Sequence, residues 1–259
     1  MSTYVPRTPW PANFPDVIIH NDLHTRNAHP TYKKAKAGDI TAAQQLVDDL
    51  LSPDSVKEIA QLIGSRQPFV VPAAALEVGG FNAIPDAMAQ ALAAALSLQM
   101  ASYDIGQSNY VAHTRANGWH RLVTPATFTG TIIQGSDYFL VDDHVGFGGT
   151  LANLRGYIEV NGGHVIGMTT LTETGGGRKI AARPETLFML QEKHGNELNY
   201  TSGNKSSATA QTASQTLRQD TYIVLNPLPP SVLEWLKQQR LLVAKAYQRS
   251  GSVQNPDPH

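Results

Sequence analysis

The sequence predicts an α/β fold with a parallel core sheet and helices on both of its faces. Two patterns carry that expectation. An apolar run, a glycine-rich turn and a helix follow one another twice, over Phe69 to Gln99 and again from Tyr138 onward, about sixty residues later. The runs Phe69-Val70-Val71, Tyr138 to Val141 and His164 to Leu171 are largely apolar rather than alternating, as in strands buried on both faces. Strands alternating with helices imply parallel neighbours, and such a sheet opens its ligand crevice at the carboxyl ends of the strands.

The 259 residues suit a single domain over about 1–250, with a helical extension to about residue 66 and a disordered tail over 251–259. Lys and Arg number 20 against 21 Asp and Glu, a net charge of −1. That balance gives no footprint for nucleic acid or an anionic membrane. The chain has no cysteine, which excludes disulfides, thiolate zinc sites and a cysteine nucleophile, and fits the reducing cytoplasm. Met1 to Pro15 lacks the apolar core of a signal peptide, and Ala87 to Met100 is too short for a membrane span and carries Gln90 and Gln99.

In chain order, Val17-Ile18-Ile19 reads as a short strand inside a Pro- and Asn-rich segment. His20, His24 and His29 are irregularly spaced, and Pro30 breaks a helix there, so they read as loop histidines rather than metal ligands. Tyr32 to Ser65 reads as two helices. Asp39 or Thr41 caps the first, with Ala42, Leu46, Val47 and Leu50 on one side; Pro53 opens the second, with Val56, Ile59, Ala60 and Ile63 inward and Gly64 at its end. Neither carries an indication of chemistry. Phe69-Val70-Val71 is the next strand, followed by the glycine corner Glu77-Val78-Gly79-Gly80 and an Ala-rich helix from Pro85-Asp86 to about Gln99. Asp104 to Pro125 is polar and holds Arg115, Arg121, His113 and His120. Phe128 to Ile133 reads as a returning strand, and Gly135-Ser136 turns into the central motif.

That motif is Tyr138 to Leu151. Tyr138 to Val141 is a strand, Asp142 and Asp143 stand at its end, and Gly146, Gly148 and Gly149 lead to Thr150 at the start of a helix. At a strand end the chain can turn and aim both carboxylates at one ligand, whereas inside a strand they would face opposite ways. The glycines permit close backbone approach, and free N–H groups at a helix start favour a phosphate. Carboxylates beside an anion site suit a ligand carrying both vicinal hydroxyls and a phosphate.

These residues resemble the type I phosphoribosyltransferases, whose signature is a hydrophobic strand, two acidic residues and a Thr/Gly-rich loop. The resemblance implies a phosphoribosyltransferase-like fold with a small variable hood. It also implies transfer of the 5-phosphoribosyl group of phosphoribosyl pyrophosphate (PRPP) to a nitrogen base, with Mg²⁺ as cofactor. Asp142 and Asp143 would hold the ribose hydroxyls and indirectly Mg²⁺. The stretch Asp142, Asp143, His144, Val145, Gly146, Phe147, Gly148, Gly149 and Thr150 would bind PRPP, and Glu77, Val78, Gly79 and Gly80 the pyrophosphate. Arg115 and Arg121 would belong to a lid that excludes water from the reacting centre. The partners implied are PRPP, a nitrogen base or nucleotide, and a second copy of the chain in a homodimer. Gly146 and Phe147 stand where the family usually has hydroxyl residues, which also admits a PRPP or nucleotide sensor that has lost turnover. A histidine metallohydrolase using His20, His24 and His29 is a third class.

After Thr150, Leu151, Leu154 and Ile158 keep helical spacing up to Gly162-Gly163, and His164 to Leu171 is the following strand. Gly175-Gly176-Gly177-Arg178-Lys179 is a loop with two cations. Pro184 to His194 reads as a helix, Asn199 to Gln215 as a low-complexity insert, Tyr222 to Leu225 as a strand and the segment after Pro229-Pro230 as a terminal helix.

Overall fold

The computed structural model describes residues 8, 10, 11, 13–73, 76, 77, 80–101, 105–109, 126–146 and 148–181. In chain order its elements are β1 (Ile18–Ile19), α1 (Leu23–Ala28), α2 (Tyr32–Lys36), α3 (Ile40–Leu50), α4 (Pro53–Ile63) and β2 (Phe69–Pro72). There follow β3 (Leu76–Glu77), β4 (Gly80–Phe81), α5 (Ile84–Leu96), β5 (Gly106–Gln107), β6 (Phe128–Thr129), β7 (Asp137–Val145), α6 (Gly149–Val160) and β8 (His164–Glu173). Four strands form one parallel sheet in the order β1-β8-β7-β2. Met100 bridges Val70 in parallel, so the chain leaving α5 returns along the free edge of β2.

The alternation of side chains along β7 sorts the core into two layers. Phe139 and Val141 pack with Leu46, Ile59, Ile84, Met88 and Leu92 from α3, α4 and α5. Tyr138 and Leu140 pack on the opposite face with Leu151, Leu154 and Ile158 of α6 and with Met168 of β8. The expected α/β architecture, a parallel sheet with helices on both faces, is therefore the one observed. Within α6 the expected inward residues Leu151, Leu154 and Ile158 are all buried.

Caps explain where the helices start. Asp39 accepts the amide of Ala42 at 3.0 Å and opens α3. Ser52 accepts that of Ser55 and Pro53 takes the first turn of α4, which Gly64 closes. Ala60, expected inward, is exposed, because it lies one residue beyond the buried stripe Ser55, Ile59 and Ile63. The segment before α3 also differs from expectation. It folds into α1 and α2, with Pro30 between the helices rather than inside one. Asp22 caps α1 through the amide of Thr25. At six and five residues these helices are too short to display a period.

Two strands differ from the sequence reading. The returning strand expected over Phe128 to Ile133 is only β6, and it pairs antiparallel with β5 outside the main sheet. Strand β7, expected to end at Val141, runs on to Val145. Its partner β8 is long enough to continue the ladder through Asp142↔Thr170, His144↔Thr172 and Val145↔Glu173. The segments expected at Pro184 to His194, Asn199 to Gln215, Tyr222 to Leu225 and after Pro229 lie outside the described residues. Among the described residues no helix is long and apolar enough to cross a membrane.

Candidate functional site

The ladder to Val145 places Asp142 and Asp143 inside β7, where adjacent side chains point to opposite faces. The expectation of two strand-end carboxylates turned toward one ligand is thereby corrected: both residues lie within the strand and are buried. Asp143 faces the α2 and α5 side. Its Oδ2 accepts from Lys36 Nζ at 2.8 Å and its Oδ1 from Asn82 Nδ2 at 3.1 Å. Asp142 falls on the other face, and its Oδ1 accepts the amide of Asp143 at 2.8 Å.

The two carboxyls differ in charge as well as direction. Burial, and then the negative charge of Asp143, push Asp142 well above the usual carboxylate range. Burial would raise Asp143 too, but the charge and hydrogen bond of Lys36 outweigh it, and with Arg26 and His144 hold Asp143 below that range. Asp143 is the anion of the pair, and Asp142 is the member that takes up a proton first.

From Val145 the chain turns through Gly146 into α6. The helix is capped by Gly148, whose φ of 69° and ψ of 8° lie in the left-handed region, and this cap supplies no side-chain hydrogen bond. A Cβ on Gly148 would also come within 2.9 Å of the Ile180 side chain. No acidic residue stands in the first turn of α6. Thr150, expected to open the helix, is its second residue and half-buried. The Gly175–Gly177 turn closes onto this corner: a Cβ on Gly177 would sit 2.5 Å from the Val145 carbonyl and 2.7 Å from that of Gly146. Thr174 N donates to the Val145 carbonyl at 3.0 Å. Arg178, read as a loop cation, is held by Glu173 through its amide at 2.9 Å and Nε at 2.6 Å.

A polar rim joins β7, β8 and α1. His144 lies between the hydroxyls of Thr172, at 2.9 Å from Nδ1, and Thr174, at 3.0 Å from Nε2. Thr172 also accepts from Arg26 Nη1 at 2.8 Å, and the Arg26 guanidinium lies 4.7 Å from the centre of the Tyr32 ring. Arg26, Lys36, Asn82, Thr172 and Thr174 are the site residues that sequence reasoning did not single out. Asn82 had a signal, its place just after a glycine corner; Lys36 and Arg26 had none.

The first corner reaches the same end of the sheet. Glu77 and Gly80 pair across the β3–β4 hairpin, and Asn82 follows two residues later at Asp143. Val78, Gly79, Phe147, His113, Arg115, His120 and Arg121 lie outside the described residues. The three N-terminal histidines are separate. His20 is buried at the end of β1, where its Nδ1 accepts the Ser52 amide at 3.2 Å and burial pushes its pKa down to about 4. His24 lies on α1, and His29 Nε2 meets Asp49 Oδ2 at 3.1 Å. Among the described residues no group of three or more His, Cys, Asp or Glu could hold a metal ion.

The acidic pair does not fit a divalent cation either. Such a cation takes one or two ionised carboxylates with free oxygens. Here both Asp143 oxygens are engaged by nitrogen donors, one of them an ammonium, and Asp142 is biased toward its neutral form.

No family model matches the chain. It is 43% identical over 197 residues to Protein TraN of Escherichia coli, an alignment covering 75% of this chain and 44% of that protein. An uncharacterised protein of Haemophilus influenzae is 39% identical over 152 residues, which is 59% of this chain and 34% of the other. The chain thus spans less than half the length of the curated relatives it matches. Among solved structures it is similar to the adenine phosphoribosyltransferase of Leishmania tarentolae, at 15% identity and a TM-score of 0.32 over 61% of this chain and 86% of that one. The Leishmania donovani enzyme gives 14% identity and a TM-score of 0.31 over 79% of this chain and 98% of that one. Superposition at that level is too loose to carry residues across.

Proposed function

We propose that the carboxyl end of β7 and the start of α6 bind a 5-phosphorylated ribose, and that the chain is a phosphoribosyltransferase acting on PRPP. One observation carries the reading: a strand with an acidic pair passes through a glycine corner directly into a helix whose cap has no side-chain hydrogen bond, at the carboxyl end of a parallel sheet. The helix dipole and the first-turn amides of α6, which have no partner within the helix, favour the 5-phosphate. The ribose hydroxyls lie toward the acidic pair, with Asp143 as the ionised acceptor. In the transfer, the bond from the anomeric carbon to the pyrophosphate oxygen breaks with its electron pair leaving on pyrophosphate. A ring nitrogen of the base bonds to that carbon and releases its proton. In the same proposal Glu77 to Gly80 would take the pyrophosphate and Arg115 and Arg121 would belong to the lid.

A second reading is a sensor of the same ligand without turnover. Its specific support is the prior engagement of both Asp143 oxygens by Lys36 and Asn82.

Calorimetry with ribose 5-phosphate, ribose and inorganic phosphate tests the site: ribose 5-phosphate should bind more tightly than either part. Thr150→Ala should weaken it by about 1–2 kcal/mol, the scale of one hydrogen bond to a charged group. Equal affinity for phosphate and ribose 5-phosphate would remove the ribose from the reading. Radiolabelled PRPP with a panel of purine and pyrimidine bases then separates enzyme from sensor by release of pyrophosphate.

A further inference from the structure

Lys36 comes from a five-residue helix that lies 107 positions before its partner Asp143 in sequence. Their contact is a short ion pair at 2.8 Å, and its exposure is uneven: the Lys36 side chain is 25% exposed and that of Asp143 is 7%. The ammonium is the member nearer solvent. Asn82 closes the second Asp143 oxygen and is itself fixed, because its Oδ1 accepts the Ile84 amide at 3.2 Å. The Asp143 carboxylate is therefore already paired with one ammonium. A divalent cation placed there would have to displace Lys36 from Asp143 or stand beside its charge.

We infer that Lys36 is the resident counter-cation of the acidic pair, in the place where a divalent cation would otherwise act, so that a ribose 5-phosphate ligand is held at the pair without a divalent metal there. The ligand half of this inference rests on the proposed ribose-phosphate site; the exclusion of metal does not. A metal ion arriving on the diphosphate of PRPP would be held by phosphate oxygens, so the probe must lack a diphosphate.

The test has two arms on the full chain. In the first, Mn²⁺ is titrated and its free signal followed by electron paramagnetic resonance. Wild type and Lys36→Arg should take up no Mn²⁺ up to about 1 mM, the weak end of protein sites for hard cations. Lys36→Met should gain one site that disappears when Asp143→Asn is added. The inference is overturned if wild type takes up an ion that Asp143→Asn removes, or if folded Lys36→Met gains none. Should Lys36→Met fail to fold, the wild-type and Asp143→Asn comparison still decides.

In the second arm, ribose 5-phosphate binding is measured by calorimetry in EDTA and in Mg²⁺. Wild type should show the same affinity in both, whereas a tenfold or greater loss in EDTA overturns the inference. If ribose 5-phosphate binds in neither buffer, the ribose-phosphate reading falls while the Mn²⁺ arm still judges Lys36.

Discussion

After β2 the chain makes a two-strand hairpin before entering α5; after β7 it turns through glycines and enters α6 directly. At the first corner the polar groups satisfy one another. Asn82 accepts from the Ile84 amide and donates to Asp143, and the Asp143 carboxylate holds Lys36. At the second corner Gly148 caps the helix with no side chain to offer. Two corners in equivalent positions on one sheet thus divide the work. The first builds and neutralises a buried carboxylate, and the second starts its helix with no side-chain cap.

The largest effect should come from breaking the first corner. Lys36→Met strands the Asp143 carboxylate and should cost about 3 kcal/mol in urea unfolding at neutral pH, the scale of a buried pair that loses one partner. Asp143 is held below the usual carboxylate range, so its stabilisation is present above the unfolded value of about 3.9 and disappears as pH falls through the lower folded value. The gap between wild type and variant should close over that window. A gap that persists unchanged in acid would assign the loss to packing of the lysine stem instead.

The second corner should break through its backbone. Gly148→Ala forces a left-handed conformation on alanine and meets Ile180, so a loss of about 2 kcal/mol is expected. Gly146→Ala has nothing within 4 Å of its new Cβ and should stay within about 0.5 kcal/mol. Equal melting of the two variants would show that the cap geometry is not what holds this corner.

The smallest effect sharpens the contrast between neighbouring carboxyls. Asp142→Asn should raise stability by about 1 kcal/mol at neutral pH, because the unfolded chain ionises Asp142 there while the fold resists its charge, whereas Asp143→Asn should lower it. A carboxyl raised in the folded state costs stability above its folded pKa, and that cost vanishes as pH falls toward the ordinary range. The gain should therefore fade on acidification. Thermal melts over pH 4 to 8 check it, and a stabilising Asp143→Asn would reverse the assignment of the two charges.

The long elements were legible from sequence because their signals are local. Asp39 and Pro53 announce α3 and α4, and Leu151, Leu154 and Ile158 repeat at helical spacing. The acidic pair and its glycine corner were legible as a string. Their setting was not. The length of β7 depends on its pairing with β8, which no residue of β7 encodes. Lys36 and Arg26 reach the site from helices too short to show a period, and Asn82 meets Asp143 across 61 positions. Burial of both carboxylates followed from those distant partners, so the chain around the motif read as more exposed than it is.

The contacts between early and late segments set a schedule for synthesis. Ile18 pairs with Thr169, Arg155 lies over the Trp10 ring at 4.4 Å, and Thr8 bonds to Glu159. In these three contacts the later partner is made 145 to 151 positions after the earlier one. At a translation rate of about 5–20 residues per second, the first strand waits roughly 8–30 s on the ribosome before it has anything to pair with. Stalled nascent chains ending before His164 should leave Trp10 and Phe14 open to protease, and chains extended past Ile180 by the length of the exit tunnel should protect them.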